Sequence, residues 1–296
     1  MKQLTITLCF LFTLCIYSQE EIDTTAFDLE RYNFVVDSID SSFTYLTGVI
    51  DLDNGLATLT VPEGFKFLDA AQSKVVLTDL WGNPPSKPIG LLFPEDMTPM
   101  HDAFTYCVEI EYSEEGYIDD EDAADLDYDD LLEEMQDDTN AANPDRIAQG
   151  YGAMELVGWA SPPFYDIDNK KLHWAKELHF EGEDSNTLNY NIRVLGRKGF
   201  LNLNAIGEID VLDTFNQDRD NILNSVEFTS GNRYADFNPS VDKVAAYGIG
   251  GLIAGKVLAK VGFFAVIAKF GKFIAIGFIA LFAGLRKRIF GGKREA

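Results

Sequence analysis

Apolar and polar positions alternate over Gly48-Val49-Ile50-Asp51 and again over Ala57-Thr58-Leu59-Thr60-Val61, with Asn54-Gly55 between the two runs. Both turn residues tolerate positive φ, so the pattern predicts a tight antiparallel hairpin. The period then lengthens. Asp69 followed by Gln72 is a capping-box variant, and Val75, Val76, Leu77, Leu80 and Trp81 supply a helical apolar face that Gly82 and Pro84-Pro85 end. Residues 89–93 and 103–112 return to a strand pattern.

The next segment is defined by charge. Residues 109–138 hold sixteen acids and no base, yet Tyr128, Leu131, Leu132 and Met135 recur at helical spacing behind Asp127, a good N-cap. An amphipathic helix with a very acidic outer face is predicted, then a short second helix started by Asn143-Pro144 and closed by Gly150. Beyond it the strand pattern dominates. Runs at 155–160 and 171–180 flank Asp168-Asn169, and runs at 187–195 and 200–206 flank Gly196-Arg197-Lys198-Gly199. Both pairs predict hairpins, and Ile209, Leu212, Phe215, Ile222 and Val226 mark a closing helix over 210–226. Hairpins with helices set between and after them indicate an α+β domain built on an antiparallel sheet with flanking helices.

The two ends of the chain have a different character. Lys2 precedes an uncharged run over 4–16, and Tyr17-Ser18 offers a cleavage position, which predicts a signal peptide over 1–18. Such a run is about 20 Å long as a helix and falls short of the ~30 Å hydrocarbon core. At the other end, 262–285 is about 36 Å as a helix and long enough to span. It includes Lys269 and Lys272, which share a face and are expected to snorkel. Gly248, Gly250, Gly251 and Gly255 make 243–261 a Gly-rich juxtamembrane helix in this reading. The cluster Arg286, Lys287 and Arg288 opens a basic tail over 286–296, and the positive-inside bias keeps it in the cytoplasm. The expectation is a bacterial inner-membrane protein with one C-terminal transmembrane helix and an extracytoplasmic, periplasmic domain over 19–242.

Charge sharpens that division. Of 48 acidic residues, 47 lie between positions 19 and 242, against 13 of the 24 Lys and Arg, so that stretch is near −34 while 243–296 is near +9. Nucleic acid is excluded as a partner, because its phosphates need a basic footprint. A soluble partner of the domain is expected to be basic, or a cation. Cys107 is the single cysteine after the signal, so no internal disulfide forms and stability rests on a core.

Several stretches carry a family likeness. They are Gly55-Leu-Ala-Thr-Leu-Thr-Val-Pro-Glu-Gly64, Leu80-Trp-Gly-Asn-Pro-Pro85, Gly90-Leu-Leu-Phe-Pro94, Gly116-Tyr117 with Asp127-Tyr-Asp-Asp-Leu-Leu132, Leu156-Val-Gly-Trp-Ala160, Leu172-His-Trp-Ala-Lys-Glu-Leu178 and Leu188-Asn-Tyr-Asn-Ile-Arg-Val-Leu-Gly196. Together they resemble the uncharacterised bacterial membrane-anchored family called domain of unknown function 2167. The resemblance implies a tethered envelope protein and brings no activity or site with it. The element order also looks like the PsbP-like arrangement, a likeness of fold alone.

No P-loop, GxGxxG, GxSxG, HExxH or paired-cysteine motif is present, and no cofactor is implied. Asp125, Asp127 and Asp129 have the first spacings of a calcium loop. Asp130 stands where the turn glycine belongs and Gln136 where the bidentate glutamate belongs, which leaves at most weak surface attraction of calcium. Glu177 and His179 are about 7 Å apart on one side of a strand and could line a pocket as an acid–base pair. Trp159, Phe164, Tyr165 and Trp174 could present an aromatic ligand surface, against the commoner fate of packing a core. Two function classes follow: a non-enzymatic binding or envelope-maintenance module, and an envelope hydrolase or transferase using carboxylates and a histidine assembled in the fold.

Overall fold

Asn54 and its neighbour Asp53 do adopt positive φ, and the turn they make joins β1 (Val49–Leu52) to β2 (Ala57–Thr60). The computed structural model describes residues 24–83, 86–101 and 103–255. The expected signal peptide over 1–18, the span over 262–285 and the tail with Arg286, Lys287 and Arg288 lie outside the described residues. Among those described, no helix is long and apolar enough to cross a membrane.

The main sheet has seven strands in the order β3-β4-β5-β10-β9-β8-β7, antiparallel at every step. These strands are β3 (Phe65–Asp69), β4 (Gly90–Pro94), β5 (Cys107–Ser113), β7 (Met154–Asp166), β8 (Lys171–Phe180), β9 (Thr187–Leu195) and β10 (Phe200–Glu208). The expected antiparallel sheet of hairpins is therefore present, with helices packed on it. β3 is an addition, since its Phe-Lys-Phe-Leu run was not separated from the helix behind it. β1 and β2 join β11 (Val226–Phe228) in a second sheet. β6 (Tyr117–Asp119) and β12 (Val244–Gly248) pair in parallel.

The seven-stranded sheet is buried on both faces. Leu92, Val108, Ile110, Tyr190, Ile192, Leu201 and Leu203 point one way and form the largest core with β1, β2, β11 and helix α4, which is Leu212–Leu223 in a count that runs α1 (Thr24–Asp40), α2 (Ala70–Lys74), α3 (Tyr128–Ala148), α4, α5 (Ile249–Ala254). Phe215 of α4 lies against Tyr106 and Tyr190, with ring centroids 5.2 and 4.4 Å away. The other face carries two separate apolar patches. Leu68, Leu91 and Phe93 meet Val76, Leu77 and Trp81 at the β3–β4 end. Leu156, Leu172, Trp174 and Leu178 meet Leu131 and Met135 of α3 and Ile249, Leu252 and Ile253 of α5 at the β7–β8 end.

Several elements depart from the expected ones, each for a visible reason. Asp69 does cap α2, accepting from the Gln72 amide at 2.9 Å, but the turn after it widens to π geometry over Val75–Leu80, and the Trp81 N–H reaches back to the Val76 carbonyl. Pro144 does not restart a helix; α3 runs through it. Asn143 exchanges two hydrogen bonds with the Met154 backbone, at 3.0 and 2.9 Å, and pins the helix to β7 at the point where proline removes a backbone donor. Gln136 also donates to the Leu156 and Val157 carbonyls, so α3 side chains cover the free edge of the sheet. Pro162 and Pro163 fall within that same edge strand, where a missing donor costs least. Val226 begins β11 rather than ending the helix over 210–226.

The Gly-rich segment over 243–261 is the largest departure. Its described part is strand β12 followed by the short helix α5. The glycines serve close approach to this domain. A side chain at Gly116 would meet the Lys243 carbonyl at 2.8 Å, and one at Gly248 would meet the Asp122 carboxylate at 2.5–2.7 Å. That carboxylate accepts from the Ile249 and Gly250 amides at 2.8 and 3.0 Å and so fixes the start of α5. The acidic stretch thus has structural duties. Asp120 pairs with Lys170 at 2.7 Å and accepts from Tyr165 and Tyr234 at 2.6 and 2.9 Å. Burial alone would raise its pKa, but the Lys170 ammonium and the two hydroxyls outweigh burial and lower it.

Asp122→Ala is expected to loosen β12 and α5 without unfolding the sheet, by about 1 kcal/mol of lost cap energy. Hydrogen exchange should quicken for the amides of residues 244–254 and stay unchanged in β8–β10. Unaltered exchange at 244–254 would show that the cap is dispensable.

Candidate functional site

Glu177 and His179 are brought together through a third residue. The Asn186 amide donates to Glu177 Oε1 at 2.5 Å, and its Oδ1 lies 2.9 Å from His179 Nδ1. Because that oxygen accepts, Nδ1 carries the proton and Nε2 of a neutral ring is left as an acceptor. His179 borders a groove of about 740 Å³ between α3 and β7 whose walls include Glu133, Asp137, Glu155 and Glu181. Much of the groove's polar lining is already engaged in the edge-covering bonds of Gln136 and Asn143, and Glu181 accepts from the Ala153 amide at 3.0 Å. No hydroxyl or thiol nucleophile lines it among the described residues.

The aromatic candidates are dispersed. Trp174 is 1% exposed and belongs to the core, and Trp159 is half-buried with its indole donating to the Tyr128 carbonyl at 3.1 Å. Tyr165 is tied to Asp120. Phe164 alone is open, at 58%, and lies against the His173 ring. Pro162–Tyr165 lie within β7 and do not form the loop of the hairpin. The continuous aromatic surface is therefore replaced by core packing. His173 itself bonds the Tyr190 hydroxyl, and burial, helped by Arg219, lowers its pKa to about 4. Asp127 caps α3 by accepting from the Asp129 and Asp130 amides, while Asp125 ends a 3-10 turn. Among the described residues no group of three His, Cys, Asp or Glu could hold a metal ion. Cys107 is buried, and burial beside Glu109 pushes its thiol far above the range of a nucleophile.

The unusual chemistry lies elsewhere, between the two apolar patches on the second face of the main sheet. Strand alternation puts Glu109 and Glu111 of β5, Asn202 and Asn204 of β10, Asn189, Asn191 and Arg193 of β9, and Lys176 of β8 on that face. The registers align them, since Glu111 lies opposite Asn202, Asn202 opposite Arg193, Glu109 opposite Asn204, Asn204 opposite Asn191, and Asn189 opposite Lys176. Hydrogen bonds run along this band in a fixed direction. Arg193 donates to Asn202 and, at 3.3 Å, to Asn191; Asn191 donates to Asn189 at 2.8 Å; Asn189 donates to Asn204 at 3.2 Å. Asn202 passes on to Glu111 at 3.5 Å, and Ser86 in the loop before β4 donates to Glu109 at 3.3 Å.

Three donors on this face remain without an acceptor. Lys176 is 8% exposed and makes no hydrogen bond or ion pair among the described residues. Arg193 Nε and Trp174 Nε1 are buried and unpaired. The Arg193 guanidinium lies 5.1 Å from the centre of the Trp174 ring and 5.5 Å from that of Phe200, which partly offsets its desolvation. Burial, reinforced by Arg193, lowers the Lys176 pKa to about 8, and burial lowers that of Arg193 to about 10. At the β5 end burial, then Glu111, raises Glu109 to about 8. Burial raises Glu111 too, against the pull of Arg193. At neutral pH Lys176 and Arg193 are therefore largely cationic, while burial holds much of Glu109 in its protonated form.

Residues 44–283 match the family described as Protein of unknown function (DUF2167). The chain belongs to that family. Every residue of the polar band lies within the DUF2167 segment, as do Glu177 and His179. No curated protein matches the chain. Among solved structures it is similar to cyanobacterial PsbP (CyanoP) from Synechocystis sp. PCC 6803, with 12% identity, a TM-score of 0.33, and coverage of 63% of this chain and 92% of that one. It is also similar to the Saccharomyces cerevisiae Ran-binding protein Mog1p, with 8% identity, a TM-score of 0.33, and coverage of 66% and 100%. Likenesses at that score carry nothing about activity or partners. This DUF2167 domain is mixed α and β with an antiparallel main sheet, and a PsbP is among its structural neighbours.

Sequence inspection passed over Lys176 and Arg193, although both stand inside stretches that carry the family likeness. The signal was local: Leu172, Trp174, Leu178 and Phe180 make one apolar side of β8, and Lys176 interrupts it.

Glu109→Gln tests the electrostatics of the band. A carboxyl whose folded pKa is raised to about 8 costs nothing at pH 4, penalises the fold progressively as pH rises from its unfolded value near 4.3 towards 8, and carries the full penalty above it. The substitution should therefore raise Tm at pH 9 by roughly 2–4 °C or more and change it little at pH 4. An equal shift at both pH values would mean that the charge of Glu109 is not penalised.

Proposed function

We propose that this chain is a binding module of the bacterial envelope, tethered by its C-terminal apolar segment, and that its ligand meets the polar band on the second face of the main sheet. One observation carries the assignment of the surface: a buried guanidinium Nε and a buried indole N–H have no acceptor, and they share one sheet face with a lysine that is 8% exposed and makes no ion pair among the described residues. An uncompensated buried ammonium lowers stability. A fold needing only a packed face would place apolar residues there, as this one does on both sides of the band. The tether is supported by the span over 262–285, the signal over 1–18 and the basic cluster Arg286, Lys287 and Arg288.

The hydrolase or transferase reading has the Glu177–Asn186–His179 chain in its favour, since an oriented imidazole with a free Nε2 is what a general base needs. It lacks a nucleophile or metal beside that nitrogen among the described residues. Binding is the reading the geometry favours.

The tether has a direct test. A reporter active only outside the cytoplasm should work when fused after Gly255 and fail after Ala296. Position 255 is the proper junction because β12 and α5 belong to the packed domain, and a fusion at 242 would strip them away. Neutralising Arg286, Lys287 and Arg288 should raise the external activity of the C-terminal fusion several-fold. External activity of that fusion in the unaltered chain would refute a single span with its end inside.

A further inference from the structure

We propose that the polar band is an oxyanion site, in which Lys176 and Arg193 hold a carboxylate or phosphate group of the ligand and the indole N–H of Trp174 donates beside them. This deepens the binding-module reading and rests on it.

The first reason is the sign of what is missing. The buried groups of the band that lack partners, Arg193 Nε and Trp174 Nε1, are donors, and so is the Lys176 ammonium. The amide oxygens of Asn189, Asn191, Asn202 and Asn204 are all already accepting. A ligand that fills the vacancies must bring acceptors, and an anion also answers the excess positive charge. The second reason is placement. Trp174 and Lys176 are two apart on β8 and share a side, and Arg193 reaches over the Trp174 ring from β9. Trp174 thus lies between the two cations, two residues from Lys176 along β8 and beneath the Arg193 guanidinium. The acids sit at the other end, on β5, three strand steps or ~14 Å from β8. A small oxyanion at Lys176 is thus clear of their repulsion, while a longer ligand could also meet Glu111 and Asn204 with donors of its own. The third reason is the wall. Leu172, Leu178 and Phe200 enclose the donor end, and in such a setting each charge-assisted bond is stronger than on an open surface. The rest of the domain is strongly acidic, yet Lys176 forms no ion pair with any carboxylate among the described residues, and Glu111 meets Arg193 only through Asn202.

The experiment is thermal unfolding of the full chain in detergent micelles. The additions are sodium phosphate, sodium acetate, sodium chloride at matched ionic strength, spermidine and glucose, each with wild type, Lys176→Met and Lys176→Arg. Phosphate or acetate should raise the wild-type Tm by ~3 °C or more beyond chloride at saturation, and the larger of the two rises identifies the oxyanion. Lys176→Met should be more stable than wild type without ligand and lose the anion response, because it removes an unpaired buried charge of similar shape. Lys176→Arg should keep part of the response. If Lys176→Met is less stable and both proteins respond alike to anions, Lys176 is structural and the oxyanion site is overturned. If anions do nothing while spermidine or glucose stabilises wild type and not Lys176→Met, the oxyanion assignment falls and the binding surface stands. If no addition stabilises wild type, and Lys176→Met neither gains stability nor changes any response, both fall.

Discussion

A seven-stranded sheet offers two faces, and both have to be covered. One face of this sheet carries the largest apolar core and is closed by the small sheet β1–β2–β11 and by α4, with Phe215 wedged between Tyr106 and Tyr190. The other face is apolar only at its two ends. The turn after α2 covers one end, α3 and α5 cover the other, and a band of amides and charges crosses the middle. The remaining features follow from that division. The acidic stretch is held to the rest of the domain because Asp120 pairs with Lys170 and Asp122 accepts from the first amides of α5, while Asp127 caps its own helix α3. Strand β12 and helix α5 stay on the domain because α5 completes the apolar patch at the β7–β8 end.

The band sets stability against specificity. Arg193 and the asparagines form a directed chain that ends on Glu111, in which each amide has one orientation, and a chain of that kind supports the register of three strands, β5, β10 and β9. Lys176 gains nothing from it. Its ammonium is desolvated, repelled by Arg193 and unpaired, while Glu109 at the far end is held partly protonated by burial. Groups kept under such penalties are characteristic of sites that bind something. The Glu177–Asn186–His179 chain shows a different economy, in which the Asn186 amide is used at both ends to tie the Glu177 and His179 side chains together.

Much of the fold was legible in the sequence because local rules and tertiary demands agree there. Asn54-Gly55 gives the hairpin, Asp69 and Asp127 cap their helices, and the strand alternation in 171–180, 187–195 and 200–206 predicts β8, β9 and β10 within two residues of their observed ends. The failures share one cause, which is contact between segments distant in sequence. Pro144 reads as a helix start until Asn143 is seen bonded to Met154. The glycines of 243–261 read as helix-packing residues until Gly248 and Gly250 are seen making room for the Asp122 carboxylate and the Leu126 side chain.

What the sequence determined alone is the antiparallel α+β character, the separation of an acidic domain from basic, apolar ends, and the absence of a linear catalytic motif. Each depends on the order of residue types along the chain, with periods of two or 3.6 and runs of one charge. The tertiary structure decided which charged residues share a site. Lys176, Arg193, Asn202 and Glu111 lie on four different strands, and only the antiparallel registers set Glu111, Asn202 and Arg193 in one row and bring Lys176 onto the same face opposite Asn189. Register is set by the packing of both sheet faces at once, and no window of the chain contains that information.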